Sequence, residues 1–268
     1  MDTGIVEPLA TQRPPAAASG RASPWRAFAS DLADAWLPRT CALCDQRLHG
    51  DEKGICRHCS TELPGARAAR CPVCAIAVED SADPPPCAAC RRSQPAFDRT
   101  IVLADYAPPL DRLLLALKFR GELALARALG PPLAGRLRAQ ELPGPVLLVP
   151  VPLAARRLAQ RGFNQSLAIA AAVARPLGLP LASRLLRRER ETRAQSTLAL
   201  DARQANLAGA FACAPPRGGG RAQSLQRAGC VVLVDDVMTS GATLHAAADA
   251  LKAAGARRVV NLVAARTP

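Results

Sequence analysis

The feature that most constrains the fold is the run Val231-Val232-Leu233-Val234-Asp235-Asp236-Val237-Met238-Thr239-Ser240-Gly241-Ala242-Thr243-Leu244. Four aliphatic residues in succession, with no polar alternation, suit a parallel strand covered on both faces. The strand ends on two adjacent acids. A Thr-Ser-Gly-Ala-Thr turn then opens a helix whose apolar face is marked by Leu244, Ala248 and Leu251. In an open α/β sheet, ligands bind beyond the carboxyl ends of the strands, where a helix N-terminus presents backbone N–H groups. A phosphate fits such a turn: Gly241 admits close backbone approach, and Thr239, Ser240 and Thr243 offer hydroxyl donors. Asp235 and Asp236 would repel that phosphate. Their place is a neighbouring sub-site, accepting hydrogen bonds from sugar hydroxyls or influencing a metal ion. Capping a plain strand-turn-helix calls for one such residue, and this stretch carries six.

The second constraint is four C-x-x-C pairs, Cys41/Cys44, Cys56/Cys59, Cys71/Cys74 and Cys87/Cys90, separated by 11, 11 and 12 residues. Each pair points two thiolates at one ion, and two pairs complete the tetrahedral coordination of a structural zinc. Eight ligands make two sites. Sequential pairing gives two small ribbons, and an interleaved cross-brace has the same spacing. Four thiolates close a site, so the zincs read as structural, and a redox role fits less well because a thioredoxin-like motif occurs once. His58 could replace a neighbouring cysteine, but an exposed knuckle histidine is the simpler reading. Few large apolar residues lie between positions 39 and 97, so metal must supply the stability. Chelation is expected to unfold residues 39–95 and leave the later domain folded.

Residues 1–23 are rich in Pro, Ala, Ser and Gly and read as a disordered tail. Trp25, Phe28, Leu32 and Trp36 suit a short amphipathic helix between Pro24 and Pro38, with the tryptophans as packing anchors. The composition changes near residue 95, giving a 24–95 helix-and-ribbon module and a 96–268 α/β domain. There, residues 99–106 read as a strand, and Leu110, Leu113, Leu114 and Leu117 carry helical spacing. Lys118-Phe119-Arg120-Gly121 closes that helix, and capping alone accounts for its cations. A helix over residues 122–140 contains Pro131-Pro132, which must break or kink it.

Residues 146–152 form the next buried strand. Residues 156–166 then read as a loop, with a helix over 167–175. Arg156, Arg157 and Arg161 lie beyond that strand end and offer bidentate donors to a pyrophosphate, although a solvated arginine loop is also ordinary in so basic a chain. A short strand near 181–186 precedes a charged, aperiodic segment, 187–196, that reads as a mobile lid, followed by a helix over 200–207. Residues 215–229 read as a flexible excursion, and Cys213 and Cys230 as small buried hydrophobes. His245 reads as helix packing, and residues 257–264 supply the last strand.

At 268 residues and 49% hydrophobic content the chain can bury one substantial α/β core beside a small module. Its formal charge is +13, and eight thiolates with two Zn²⁺ would bring this to about +9. Such a surface favours anionic partners, sugar phosphates or nucleic acid alike. No apolar run reaches the length of a signal-peptide core or a membrane span, so a cytoplasmic, reducing location is expected.

The four hydrophobics, two acids and Thr-x-Gly-x-Thr resemble the phosphoribosyl pyrophosphate fingerprint of type I phosphoribosyltransferases. The whole set resembles the ComF family (competence protein F and GntX-like proteins): the C-x-x-C pairs, Ala104-Asp105-Tyr106, Leu117-Lys118-Phe119, Val149-Pro150-Val151-Pro152, Arg161-Gly162-Phe163-Asn164-Gln165-Ser166 and Val234 to Thr243. The likeness runs from about residue 37 to the end, with Arg188, Arg190, Thr192, Gln195, Asn206 and Phe211 at the spacing of the family's hood. It implies a double zinc ribbon fused to a type I phosphoribosyltransferase-like, Rossmann-like domain with a mainly parallel sheet and helices on both faces. Asp235 and Asp236 would grip the ribose hydroxyls with Mg²⁺, Met238, Thr239, Ser240, Gly241, Ala242 and Thr243 would cradle the 5′-phosphate, and Arg156, Arg157 and Arg161 would serve the pyrophosphate. Pentosyl transfer would then rest on electrostatics and positioning. The family's association with competence brings single-stranded DNA and a helicase-like protein into view as partners. It also frames the alternative of a non-enzymatic, zinc-containing DNA-handling factor with a regulatory sugar-phosphate pocket, although one Tyr and two Trp are few stacking groups for that role.

Overall fold

The computed structural model describes residues 40–79, 81–189, 209–213 and 225–268. The expected tail, the Trp25–Trp36 helix, most of the lid segment and the helix over 200–207 lie outside them. Residues Arg39–Pro268 belong to one compact unit.

A four-stranded parallel sheet is built from β1 (Arg99–Asp105), β2 (Val146–Pro150), β5 (Cys230–Met238) and β6 (Val259–Arg266), in the order β1-β6-β5-β2. The unbroken aliphatic run explains the central place of β5. Val232 and Val234 enter the core on one face and Val231 and Leu233 the core on the other, so both faces must be covered. One cover is made by α4 (Leu123–Arg138) and α6 (Gln165–Leu177), whose Leu129, Leu133, Ile169 and Val173 are fully buried. Burying each such side chain contributes about 1.5–3 kcal/mol. The two helices approach closely at Gly130, where a Cβ would lie 2.5 Å from that of Ala172. The opposite face is covered by α7 (Ala242–Ala253), with Leu244, Ala247, Ala248 and Leu251 inward.

α3 (Leu110–Arg120) ends on Gly121 in the left-handed region (φ 69°), as its glycine and cations predict. Three expectations are corrected. Pro131 and Pro132 do not break α4, which continues through them as one 16-residue helix; packing against α6 outweighs the two missing N–H donors. The arginine segment is not a plain loop: Ala155–Arg161 form a short helix, α5, closed by Gly162 at φ 77°. The strand expected near 181–186 divides, with Leu181 making a single parallel bridge to Leu148 while β3 (Leu186–Arg188) pairs antiparallel with β4 (Phe211–Cys213). The last strand begins two residues later than expected.

The cysteine module has an internal repeat. In each half the first pair sits in a knuckle bracketed by a β-bridge, Thr40 to Arg47 and Arg70 to Ala77, with a left-handed residue after the second cysteine, Asp45 and Ala75. In each half the second pair opens a short helix, α1 (Arg57–Glu62) after Cys56 and α2 (Ala88–Ser93) after Cys87. The module is seated on the sheet domain: Cys41, Ile55, Leu63 and Ala66 join one core, and Cys71, Cys74, Ala75 and Cys90 join the other. The little apolar surface the ribbons own is therefore completed by the larger domain. Among the described residues no helix is long and apolar enough to cross a membrane.

Candidate functional site

The two cysteine groups assemble sequentially, Cys41/Cys44/Cys56/Cys59 and Cys71/Cys74/Cys87/Cys90, with the sulfurs of each group within 4.8 Å of one another. Of the two arrangements the spacing permits, the structure takes the sequential one. Cys44 Sγ lies 3.9 Å from Cys56 Sγ and Cys74 Sγ 3.7 Å from Cys87 Sγ, close to the edge of about 3.8 Å that a tetrahedron with Zn–S bonds of about 2.3 Å requires. Backbone N–H groups of Cys56 and Cys87 donate to Cys41 Sγ and Cys71 Sγ, both at 3.3 Å. Burial alone would raise these two thiols, but the N–H donors hold each near 7, which favours the thiolate a metal needs. These are two Cys₄ zinc sites. His58 is exposed and outside both.

A second site lies at the carboxyl ends of the strands, where a cavity of about 900 Å³ opens between β5, β2 and the end of α3. β5 delivers Asp235 and Asp236 to its wall. Asp235 Oδ1 accepts from Ser166 Oγ at 2.7 Å and from the Asp236 N–H at 2.9 Å. Asp236 is buried and faces Lys118, whose Nζ is 2.6 Å from its Oδ2; that oxygen has no aligned hydrogen bond, so the contact is a close ion pair. Burial, reinforced by the charge of Asp236, pushes Asp235 up to about 7, against the opposing pull of Ser166, the Asp236 N–H and Lys118.

Thr239, Thr243 and Met238 continue the wall, while Ser240, Gly241 and Ala242 form the turn and helix start behind it. Gly241 is required by its backbone conformation. Its φ is 82°, and a Cβ would stand 2.6 Å from Met238 Cε. Ser240 Oγ accepts from the Ala242 N–H at 3.4 Å. Met238 O receives the Thr267 N–H at 3.0 Å and Arg266 Nη1 at 3.3 Å, which ties the turn to the end of β6. Arg157 and Arg161 line the cavity from α5, one helical turn apart, whereas Arg156 is exposed and does not. Arg161 donates to Gln165 Oε1 at 2.6 Å, and its guanidinium lies 5.6 Å from the Phe119 ring centre. Burial lowers its pKa, which the charge of Asp236 opposes. Arg188 joins the wall, and Arg188 lies 5.4 Å over the ring of Phe211.

Sequence reasoning assigned Lys118 to helix capping; the structure sends its ammonium to Asp236. Ser166 was only part of a motif, and it proves to be the hydroxyl that holds Asp235. α6 places it there because Asn164 caps the helix, accepting from the Ser166 N–H at 2.9 Å and donating to Val151 O at 3.0 Å. His245 lies off the cavity wall and accepts the Ala96 N–H on Nδ1 at 3.0 Å, pinning the connection between ribbon and sheet. Cys230 is buried and Cys213 half-buried, and burial raises both thiols.

Two family models match the chain: a phosphoribosyl transferase domain over residues 164–267 and a double zinc ribbon domain over residues 32–91. The chain is similar to DNA utilization protein YhgH of Salmonella typhimurium, at 36% identity over 83% of this chain and 95% of that one. It is also similar to competence protein F of Haemophilus influenzae, at 28% identity over 82% of this chain and 93% of the relative. Competence protein ComFC of Bacillus subtilis is 26% identical over 79% of this chain and 88% of its own.

Proposed function

The chain belongs to the family of DNA utilization protein YhgH and the competence proteins F and ComFC, a double zinc ribbon joined to a phosphoribosyl transferase domain, and from that membership we propose that it binds phosphoribosyl pyrophosphate with Mg²⁺ in the cavity at the strand ends. The observation that carries this is that one cavity is walled by both the acid pair of β5 and Arg157, Arg161 and Arg188. Acids and guanidinium groups in one cavity match a ligand that carries both sugar hydroxyls and a diphosphate. Asp235 and Asp236 accept from the ribose hydroxyls, the 238–243 turn takes the 5′-phosphate, and the arginines take the pyrophosphate. The carboxylates are hard oxygen donors suited to Mg²⁺, which keeps its remaining sites for water and ligand oxygens. In this reading residues 24–95 are the zinc module and 96–268 the ligand-binding domain of a cytoplasmic protein.

The names of the relatives support a role in the use of DNA during competence, and a second reading keeps the same pocket but makes it a sensor in a DNA-handling factor. Calorimetric titration of phosphoribosyl pyrophosphate with Mg²⁺ into the wild type and into Asp235→Asn/Asp236→Asn tests the binding. Saturable binding that the double variant loses supports it, and no binding to the intact protein removes it. Pyrophosphate release with added acceptors then separates transferase from sensor.

A further inference from the structure

We propose that Arg266 is a positioning residue that couples the second zinc centre to the turn after β5, so that zinc in that centre and a ligand on that turn strengthen each other's binding. Arg266 is 7% exposed, and among the described residues no carboxylate pairs with it. Its guanidinium instead spans two carbonyls. Nε donates to Cys74 O at 3.0 Å and Nη1 to Met238 O at 3.3 Å. A buried cation needs a countercharge. One Zn²⁺ with four thiolates carries about −2, and Cys74 is one of the four cysteines, so the loaded centre supplies the anion that no carboxylate provides. The planar fork, held at Cys74, then fixes the carbonyl that immediately precedes Thr239. A second fastening reaches the same turn from the segment after α2, which carries Cys90. The Phe97 ring comes within 3.7 Å of where a Cβ on Gly241 would stand, and the Ala96 N–H donates to His245 Nδ1 in α7 at 3.0 Å. The first centre is placed differently: Cys41 joins the core on the opposite face of the sheet, and Gly54 lies against Ala128 of α4. This asymmetry singles out one of the two zincs as the partner of the turn. The inference rests on the phosphoribosyl reading for what the turn holds, not for the coupling between centre and turn.

The test has two arms on the full-length, zinc-loaded protein. The first needs no ligand and follows amide hydrogen exchange of residues 238–243, with zinc counted by elemental analysis. Cys90→Ser, which opens the second centre, is expected to speed that exchange about 5- to 150-fold, the usual range of a coupling between sites, while Cys59→Ser, which opens the first, leaves it unchanged. Arg266→Met speeds it similarly with both zincs retained, and Cys90→Ser adds nothing further in that background. Equal acceleration by the two cysteine variants, or additive effects of Arg266→Met and Cys90→Ser, overturns the proposal. The second arm uses the wild type and Arg266→Met alone, so it stands even where a cysteine variant fails to fold. Zinc transfer to a chromophoric chelator is timed with and without phosphoribosyl pyrophosphate and Mg²⁺. Because coupling is reciprocal, the ligand slows release of the second zinc about 5- to 150-fold in the wild type and not in Arg266→Met. Bound ligand that protects neither zinc, or protects equally in the variant, contradicts the coupling. Calorimetry showing no phosphoribosyl pyrophosphate binding removes the ligand reading instead, and the exchange arm then decides the coupling by itself.

Discussion

Asp235 and Asp236 are neighbours in sequence with different environments. Asp236 has a cation at 2.6 Å, while Asp235 has a hydroxyl, an N–H and the negative charge of its neighbour. A carboxyl raised to about 7 holds its proton more tightly folded than unfolded. Its contribution to stability is therefore full below about pH 4 and is lost as pH rises through about 7. Asp235→Asn is expected to be more stable than the wild type at pH 8, by up to a few kcal/mol, with the gap closing toward pH 5; urea midpoints at the two pH values check this. Lys118→Met acts in the opposite sense, because it strands a buried carboxylate. Its cost is expected toward the lower end of about 3–5 kcal/mol, and Lys118→Met/Asp236→Asn should recover much of it in a denaturation cycle. The acids were legible in the sequence because their strand announces itself. Their partners were not: Lys118 lies on a helix end that capping already explains, and nothing local in a sequence shows a contact made across the fold.

At the scale of elements, the Val231–Val234 run, the Thr239–Thr243 turn and the helix after it were readable because local pattern and tertiary role agree. α5 was missed because Arg156, Arg157 and Arg161 draw attention to charge, while its end signal, Gly162, also fits a loop. Pro131 and Pro132 misled because two lost hydrogen bonds cost less than separating α4 from α6 at Gly130. The same element-level geometry makes Gly241 the sensitive point of the turn. Gly241→Ala places a side chain at φ 82° and is expected to cost about 1–2 kcal/mol. It should also weaken phosphoribosyl pyrophosphate binding, because the turn shifts to relieve the positive-φ strain, while the contact with Met238 Cε is relieved by the flexible end of that side chain. The unfolding midpoint and a calorimetric titration of the variant report the two effects.

For the whole molecule, the ribbons are fastened to the sheet domain. Arg70 pairs with Asp105 at 2.8 Å, Arg136 Nη2 donates to Ala66 O at 2.7 Å, and Arg266 Nε donates to Cys74 O at 3.0 Å. From its cysteines the zinc module depends on metal, with chelation expected to unfold residues 39–95 and leave the later domain folded. The docking of Ile55 and Leu63 into the main core adds a cost to that domain, since their loss uncovers apolar surface. Chelation is now expected to make residues 39–95 protease-sensitive and also to lower the melting temperature of the remainder, as a thermal scan with and without chelator will show. Arg266 joins the second ribbon to the carbonyl of Met238, so the turn after β5 shares a fastening with a zinc knuckle. The most direct measurement of the central claim, that Asp235 and Asp236 hold the ligand, is the proton balance of binding. With Asp235 near 7, taking up phosphoribosyl pyrophosphate and Mg²⁺ at pH 7 should release about half a proton, read as a calorimetric enthalpy that varies with buffer ionisation heat, beyond the release of the ligand and Mg²⁺ alone. That release should vanish in Asp235→Asn. Binding that releases no proton from the protein and survives the substitution would place the ligand elsewhere.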